Sequence, residues 1–426
     1  MLLAANSNIT FDLNGGTIAP NGAAVTNAFY IPAVGDGDAG VAGATNVTLR
    51  NLNTDGTNAA AASGVGILTY NADTLTIENV QNDNWTLSGG ILYGLASGAV
   101  SAHISNIRGT GNTNHAFAVS TVEEEASRIV VDGVKAWSNG LGFDLSAGSA
   151  TVKNVYTWSN TNGGMKTAGN DNAHCIIDGL NSYQDGQGFY TNGTFRLLEL
   201  DNINVIESVS HGVAINHVGT ALVGNVHIES PGGQGFYQFG ASKTLAENIS
   251  VKSATGRGVN IAAGDFQCSQ IRTELSGNQG VIVSSTGNIS IQDHLSIDDC
   301  ATSGNTSLAF QPGTSASGYF IGSLRSVDTR GVPLLTIGLS FNGNTSDSKV
   351  QMVRTSGVTN AISDSGTDNT WLDANGQCKL PPDRIGFYGT NPAVKQVITG
   401  SRASNAALAD LLTKLETIGL ITDSSS

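Results

Sequence analysis

Apolar positions recur along most of the chain in a short unit: Gly, apolar, any residue, apolar. The unit opens at Gly66 (GILT), Gly90 (GILY), Gly142 (GFDL), Gly164 (GMKT), Gly188 (GFYT), Gly212 (GVAI), Gly235 (GFYQ), Gly258 (GVNI) and Gly280 (GVIV), and AFAV from Ala116 fills the gap. Successive copies stand about 22–26 residues apart, the range of solenoid repeats. A second unit keeps step: alternating strands that end in Asn or Gly plus an aliphatic. Examples are LTIENV (75–80), HISNI (103–107), ATVKNV (150–155), LLELDNI (197–203) and AENISV (246–251). Each period thus holds at least two short strands joined by Gly/Asn turns. The Leu-rich consensus of leucine-rich repeats is absent, as are the period-3.6 faces of helical repeats. The predicted fold is all-β: a right-handed parallel β-helix of about ten or more coils, each bonded to the next about 4.8 Å away. Alternation then sorts side chains: Phe143 and Leu145 of GFDL point in and Asp144 points out. Asn139 and Asn160, each in Trp-Ser-Asn, are expected to form an amide ladder at a turn.

The period fades after residue 303. Residues 304–380 keep alternating strands such as LLTIGLSF and read as irregular final coils or a small β module. Residues 381–426 read as an extended Gly/Pro-rich linker and a helix, SNAALADLLTKLETIGLI, with Ser404 as its expected N-cap and Gly419 as its expected C-terminal stop. Leu408, Leu411, Leu415 and Ile418 are spaced as a coiled-coil seam. So short a helix is marginal alone, so its stripe is expected to pack, either on the solenoid flank or against its own copies.

Composition narrows the function. Charged residues are 13% of the chain, Gly is 54 of 426 residues, and the net charge is −14. A general nucleic-acid role is not expected, because phosphate binding needs a basic surface. Cys175, Cys268, Cys300 and Cys378 show no CxxC or zinc-like spacing, and Cys175 reads as a buried free thiol. The start, MLLAANSN, has neither the basic region nor the apolar run of a signal peptide, and no stretch suits membrane insertion.

The segment NITFDLNGGTI resembles the first coil of the pectate-lyase-like β-helices found in phage tailspikes and polysaccharide lyases, a resemblance covering roughly residues 6–310. In those proteins a cap usually precedes this segment, so the expectation is that a missing segment, another protein or another subunit covers that end. The segment GFYGTNPAVKQVITGS…ALADLLTKLETIGLI resembles the C-terminal ends of phage structural proteins and tail fibres, which are typically trimers. The resemblance implies a homotrimer, virion-associated as a tail or head appendage or extracellular. It is poor for substrate, because β-helices host lyases, hydrolases, epimerases and inert stalks.

Candidate chemistry lies on the outward row of the Gly-containing strands, read in order as Leu68, Leu92, Ala118, Asp144, Lys166, Tyr190, Ala214, Tyr237, Asn260 and Ile282. The residue before each Gly forms a rim that includes His115, Gln187, His211, Gln234, Arg257 and Gln279. Asn192, Asn216 and His217 stand beside the row as further substrate-binding candidates, with Arg257, Tyr237 and Asn260. β-Elimination on a uronate needs a cation at the carboxylate, a base at C5 and an acid at the leaving oxygen. Lys166 is the candidate to neutralise the carboxylate. Tyr190 and His211 are candidates to share base and acid roles, and Asp144 to orient Lys166 or bind a sugar hydroxyl. Lys166 and Tyr190 are expected to be exposed. The competing reading is a surface ion pair and an ordinary aromatic stack. Trp137, Trp158 and Tyr183 occupy matching turns and read either as a sugar-stacking wall along the groove or as a structural ladder. Asp36 and Asp38 in VGDGDAG allow a Ca2+ site; no other metal or cofactor is expected.

Three functions follow. The first is a lyase or epimerase acting on an acidic, uronate-containing polysaccharide. The second is a glycoside hydrolase, for which Asp171 and Asp185 are candidate partners of Asp144. The third is a non-catalytic receptor-binding or decoration fibre.

Overall fold

Each long strand turns a corner without leaving its sheet. The computed structural model describes residues 9–19, 27–31, 46–57, 64–70, 74–93, 101–121, 128–169, 173–216, 218–285, 287–301, 308–312, 318–341, 345–365, 369–373, 378–379, 384–385, 393–394, 396–400, 405–417 and 421–425. In the strand Arg128–Trp137 the corner is Gly133, in left-handed backbone at φ 84. Asn79, Asn106, Asn154, Gly179 and Asn202 hold the same conformation on neighbouring coils. Gly adopts it freely and Asn more readily than other residues. The Asn-or-Gly-plus-aliphatic signature, predicted to end a strand, therefore marks a bend instead, and parallel pairing continues beyond it from Val134 to Val155 to Leu180. At the bend Asn106 Nδ2 donates to Asn79 Oδ1 and Asn79 Nδ2 to Asn51 Oδ1, both at 3.1 Å.

These long strands form a 16-stranded sheet, and the Gly-containing strands form a 14-stranded one. The described residues form a parallel β-solenoid of about 12 turns with a single short C-terminal helix. Parallel stacking runs through Asn360–Asp364 in the short-strand sheet and Thr370–Asp373 in the long-strand sheet. There Leu372 pairs antiparallel with Cys378, which interrupts the template for a further parallel coil.

One column of the core runs along the inward face of the short strands, one residue per coil, beside the inward residues of the long strands. Phe117, Phe143, Met165, Phe189, Val213, Phe236 and Val259 follow each other in register, and all are fully buried. Burying each such side chain is worth about 1.5–3 kcal/mol. Gly precedes this column because the two sheets approach too closely for a side chain: a Cβ on Gly188 would collide with Val205 and with the carbonyl of Gly212. The register corrects one position of the sequence-derived row. Leu68 aligns with Ile91, and Ile91 with Ala118, so Leu92 points inward and is fully buried. The unit there starts at Gly89, and Gly90 occupies the inward place, where the Phe117 ring fills the space a Cβ would take.

The expected Asn ladder is present inside the turn that joins the two sheets. Asn112 Nδ2 donates to Asn139 Oδ1 (2.8 Å), Asn139 Nδ2 to Asn160 Oδ1 (3.0 Å) and Asn160 Nδ2 to Asp185 Oδ1 (2.8 Å). The backbone N–H of each Asn donates along the same direction. Asp185 ends the chain of donors. Its Oδ2 also accepts from Thr157 Oγ1 and Ser182 Oγ, both at 2.6 Å. Burial pushes its carboxyl pKa up, against the pull of those hydrogen bonds. A folded state that holds the proton more tightly than the unfolded chain gains stability as pH falls, and forfeits that gain as pH rises through the folded pKa. Asp185→Asn keeps the ladder geometry used by the three preceding rungs and removes the buried charge. It is expected to raise the melting temperature at neutral pH, with the advantage shrinking on acidification. Calorimetry of both proteins across pH checks this.

Cys175, Cys268 and Cys300 are buried free thiols, and burial pushes the Cys175 thiol up to about 12. The helix, Ala406–Thr417, lies between the parallel-paired strands Gln396–Gly400 and Ile421–Ser425. Its cap is Asn405, whose Oδ1 accepts from the N–H groups of Ala407 and Leu408 at 3.1 Å; Ser404, Ile418 and Gly419 lie outside the described residues. Leu412 is buried, Leu415 is half-buried, and Leu408 and Leu411 are exposed. No described helix is long and apolar enough to cross a membrane.

Candidate functional site

The outward row of the short-strand sheet places Ala118, Asp144, Lys166, Tyr190, Ala214, Tyr237, Asn260 and Ile282 on successive coils. Lys166 Nζ lies 3.0 Å from Asp144 Oδ2, and His115 Nε2, reaching over from the preceding coil, lies 3.4 Å from the same oxygen. His115 Nδ1 is 3.0 Å from Ser88 Oγ, so its ring is held from both sides. Ser88 is fully buried and only orients the imidazole. Asp144 itself is nine-tenths buried, and its Oδ1 has no hydrogen-bond partner. Burial works against its ionised form, but the hydrogen bond from His115 and the Lys166 charge hold the carboxyl below its ordinary range.

Tyr190 leans over Gly163, where a Cβ would meet its ring at 3.0 Å. Burial, and then the Asp144 charge, push its phenol up to about 12, so it is a neutral O–H at physiological pH. Both Lys166 and Tyr190 are half-buried rather than exposed as expected, because the row is packed side by side at one-coil spacing.

His211 stands apart from this cluster. It meets Tyr237 edge-on at 5.5 Å and accepts from the N–H of Gln234 at 3.2 Å through Nδ1. Burial pushes its pKa down and favours neutral imidazole. Tyr237 stacks on Phe239 at 4.6 Å, and Phe239 is partly exposed. The residues read from sequence as one catalytic set thus divide in two. One part is an acid–base cluster of His115, Asp144, Lys166 and Tyr190. The other is an aromatic shelf of His211, Tyr237 and Phe239 further along the same face. His115 was visible in the sequence as a rim residue. Its reach to Asp144 on the next coil depends on the pairing of His115 with Leu141.

The remaining candidates scatter. Arg257 donates to Gln279 at 3.4 Å. Asn260 is buried at 3% exposure, which removes it as a surface contact. Asn192 is exposed and donates its N–H to the Thr167 carbonyl, whereas the backbone of Asn216 is tied to the Thr191 hydroxyl. His217, Asp36, Asp38 and Asp171 lie outside the described residues. Asp185, the other expected partner of Asp144, is fully buried with both oxygens engaged in the ladder. Among the described residues no three or more His, Cys, Asp or Glu form a group able to hold a metal ion.

No family model, curated protein or solved structure matches the chain. Its chemistry must therefore be read from its own side chains. Trp137, Trp158 and Tyr183 do lie in register, but at the ends of long strands, on the outer face of the other sheet. Trp137 and Trp158 stack at 4.7 Å with planes 2° apart. They form no wall beside Asp144, because the ladder turn carries the chain from one sheet to the other between Trp137 and Leu141.

Proposed function

We propose that this chain binds an acidic, uronate-containing polysaccharide along the short-strand sheet and cleaves it by β-elimination. The reading is carried by the cluster of His115, Asp144, Lys166 and Tyr190 beside the Tyr237–Phe239 shelf. Sugars stack on exposed aromatic rings, and a polysaccharide laid along the solenoid axis meets one coil about every 4.8 Å. In this arrangement Tyr190, a neutral phenol, serves as proton donor to the leaving oxygen. Lys166, anchored by Asp144, faces the substrate carboxylate and stabilises the charge that develops there. Neutral His211 is the matching proton acceptor once a sugar spanning the row from Tyr190 to Tyr237 displaces the Gln234 N–H from Nδ1, the ring nitrogen that carries no proton. Keeping an acid protonated and a base unprotonated at one pH is the pattern that acid–base catalysis needs. On this reading the protein works outside the cell or as a tail or head appendage of a virion.

The test is incubation with a panel of uronate polysaccharides. Appearance of the ultraviolet absorbance of unsaturated products supports elimination. New reducing ends without that absorbance would indicate hydrolysis instead, and no change in any polymer would leave a binding fibre as the function.

We also propose that three copies associate through the C-terminal helix, whose Leu408 and Leu411 remain 38% and 52% exposed. An apolar stripe of this kind gains by burial against its own copies. The solenoid core is internal to each chain and does not need the partner copies. Light scattering is expected to give a trimer for the full chain and a folded species of one-third the mass after removal of residues 401–426. A monomeric full chain, or a trimer that survives truncation, rules out the helix as the joint.

A further inference from the structure

A groove on the outer face of the long-strand sheet lies away from the acid–base cluster. It occupies 620 Å³ along the concave bend and is lined by the Asn79, Asn106 and Asn154 amides together with Arg108, Lys135 and Tyr156. A second groove of 300 Å³ continues from Tyr156 along Trp158 and Tyr183. Both volumes lie within or at the edge of the usual range for ligand clefts.

Two features of this groove call for a ligand. Arg108 and Lys135 are in register on adjacent coils, so two basic residues leave the same face from backbones about 5 Å apart. No ion pair neutralises either of them among the described residues, although the chain as a whole carries −14. Like charges directly side by side in a sheet are destabilising, and an anion bridging them removes that cost. Among the described residues Asp132 is the only carboxylate lining the groove, and its Oδ1 already accepts from Asn154 Nδ2 at 2.8 Å. The second feature is the aromatic run. Tyr156 (44% exposed) follows Lys135 in register, and Trp158 (36%) and Tyr183 (43%) continue outward beside it. Their rings are large apolar surfaces left in water next to paired cations and a row of amides.

We infer that this groove is a second, non-catalytic binding site for an acidic oligosaccharide. Arg108 and Lys135 clamp a sugar carboxylate, the bend amides bond ring hydroxyls, and Tyr156, Trp158 and Tyr183 stack on pyranose faces. Carboxylates suit the paired cations because charge-assisted hydrogen bonds are the strong ones. Aromatic faces beside them select sugar rings over small anions. The site does not depend on cleavage at the short-strand sheet, and it would serve equally to hold a polymer for cutting elsewhere or to anchor a fibre to a glycan.

The experiment titrates the full chain with uronate hexasaccharides of the panel polymers, following tryptophan fluorescence and calorimetric heat. It is run in a Tyr190→Phe, His211→Ala background, so that binding on the other face is weakened. Saturable quenching by one of these uronate oligomers is expected. In Arg108→Gln, Lys135→Gln the Kd should rise about tenfold or more, and Trp158→Ala should lose most of the quenching. All three side chains lie on the surface, so an unchanged melting temperature confirms that the fold is intact. The carboxyl-reduced, neutral version of the same oligomer should bind at least about tenfold more weakly. Three results overturn the site: no quenching by any uronate oligomer, equal affinity of the double cation variant, or equal binding of single-stranded DNA, which would mark a mere polyanion patch. Binding retained here, with no unsaturated product formed from any panel polymer by the unsubstituted chain, would refute the elimination reading alone.

Discussion

Asn160→Leu is expected to destabilise the solenoid by about 4 kcal/mol or more, enough to unfold much of a marginal domain. The Asn160 side chain accepts from the N–H and Nδ2 of Asn139 and donates to the Ala136 carbonyl and to Asp185. Leu fills a similar volume but answers none of these four bonds. Each buried group left without its partner costs about 1–3 kcal/mol, and Asp185 is left with its charge less well satisfied in a fully buried site. Asn154→Leu is the control. Its side chain bonds Asp132 at the exposed bend, where water replaces the lost partner, so the expected cost is below about 1 kcal/mol apart from left-handed backbone strain. Urea unfolding of both variants checks the contrast. Similar midpoints would show that the inner ladder is dispensable.

Tyr190→Phe is expected to lower the rate of unsaturated-product formation about 100-fold or more while leaving the fold and the melting temperature nearly unchanged. Only the hydroxyl is removed. The ring that packs over Gly163 stays, and loss of a general acid typically costs 10² to 10⁴ in rate. Lys166→Gln is expected to lose a comparable amount of activity with a measurable loss of stability as well, because the nine-tenths-buried Asp144 then loses the lysine charge beside its carboxylate. The dependence on pH separates the two residues' roles. Since the Asp144 pKa is depressed, the stabilisation from its partners is present above the unfolded carboxyl pKa and is lost as pH falls through the folded value. In the Lys166 variant that loss begins at higher pH. Tyr190→Phe retaining full activity would move the proton donor elsewhere on the row.

The solenoid was legible in the sequence because its physics is local and repetitive. Each coil must send Phe143 or Phe189 inward and leave no side chain where the sheets meet at Gly142 or Gly188, so Gly, apolar, any, apolar returns every coil. The Trp-Ser-Asn repeats exposed the ladder for the same reason: one amide per coil bonds only to another amide in the same place. The outward row was legible as well, since period-two alternation assigns Asp144, Lys166 and Tyr190 to one face. Its one misplaced member, Leu92, came from a local choice between two adjacent glycines, Gly89 and Gly90. That choice is settled by which of them has room for the Phe117 ring.

Only the tertiary structure decided which neighbours those residues meet. Pairing between coils brings His115, about one coil away in sequence, onto Asp144, and it leaves His211 with Tyr237. The left-handed Asn residues looked like strand ends because their side chains interrupt alternation. Three-dimensional pairing shows them to be corners, and the corner creates the concave face where Arg108 and Lys135 stand together. Nothing within either strand's own sequence predicts that adjacency, because a charge's partners in a solenoid come from the next coil. The ladder turn likewise separates Trp137 and Trp158 from Asp144. Composition and periodicity determined the column that holds this protein together, and the register between coils determined which charges and rings share a surface.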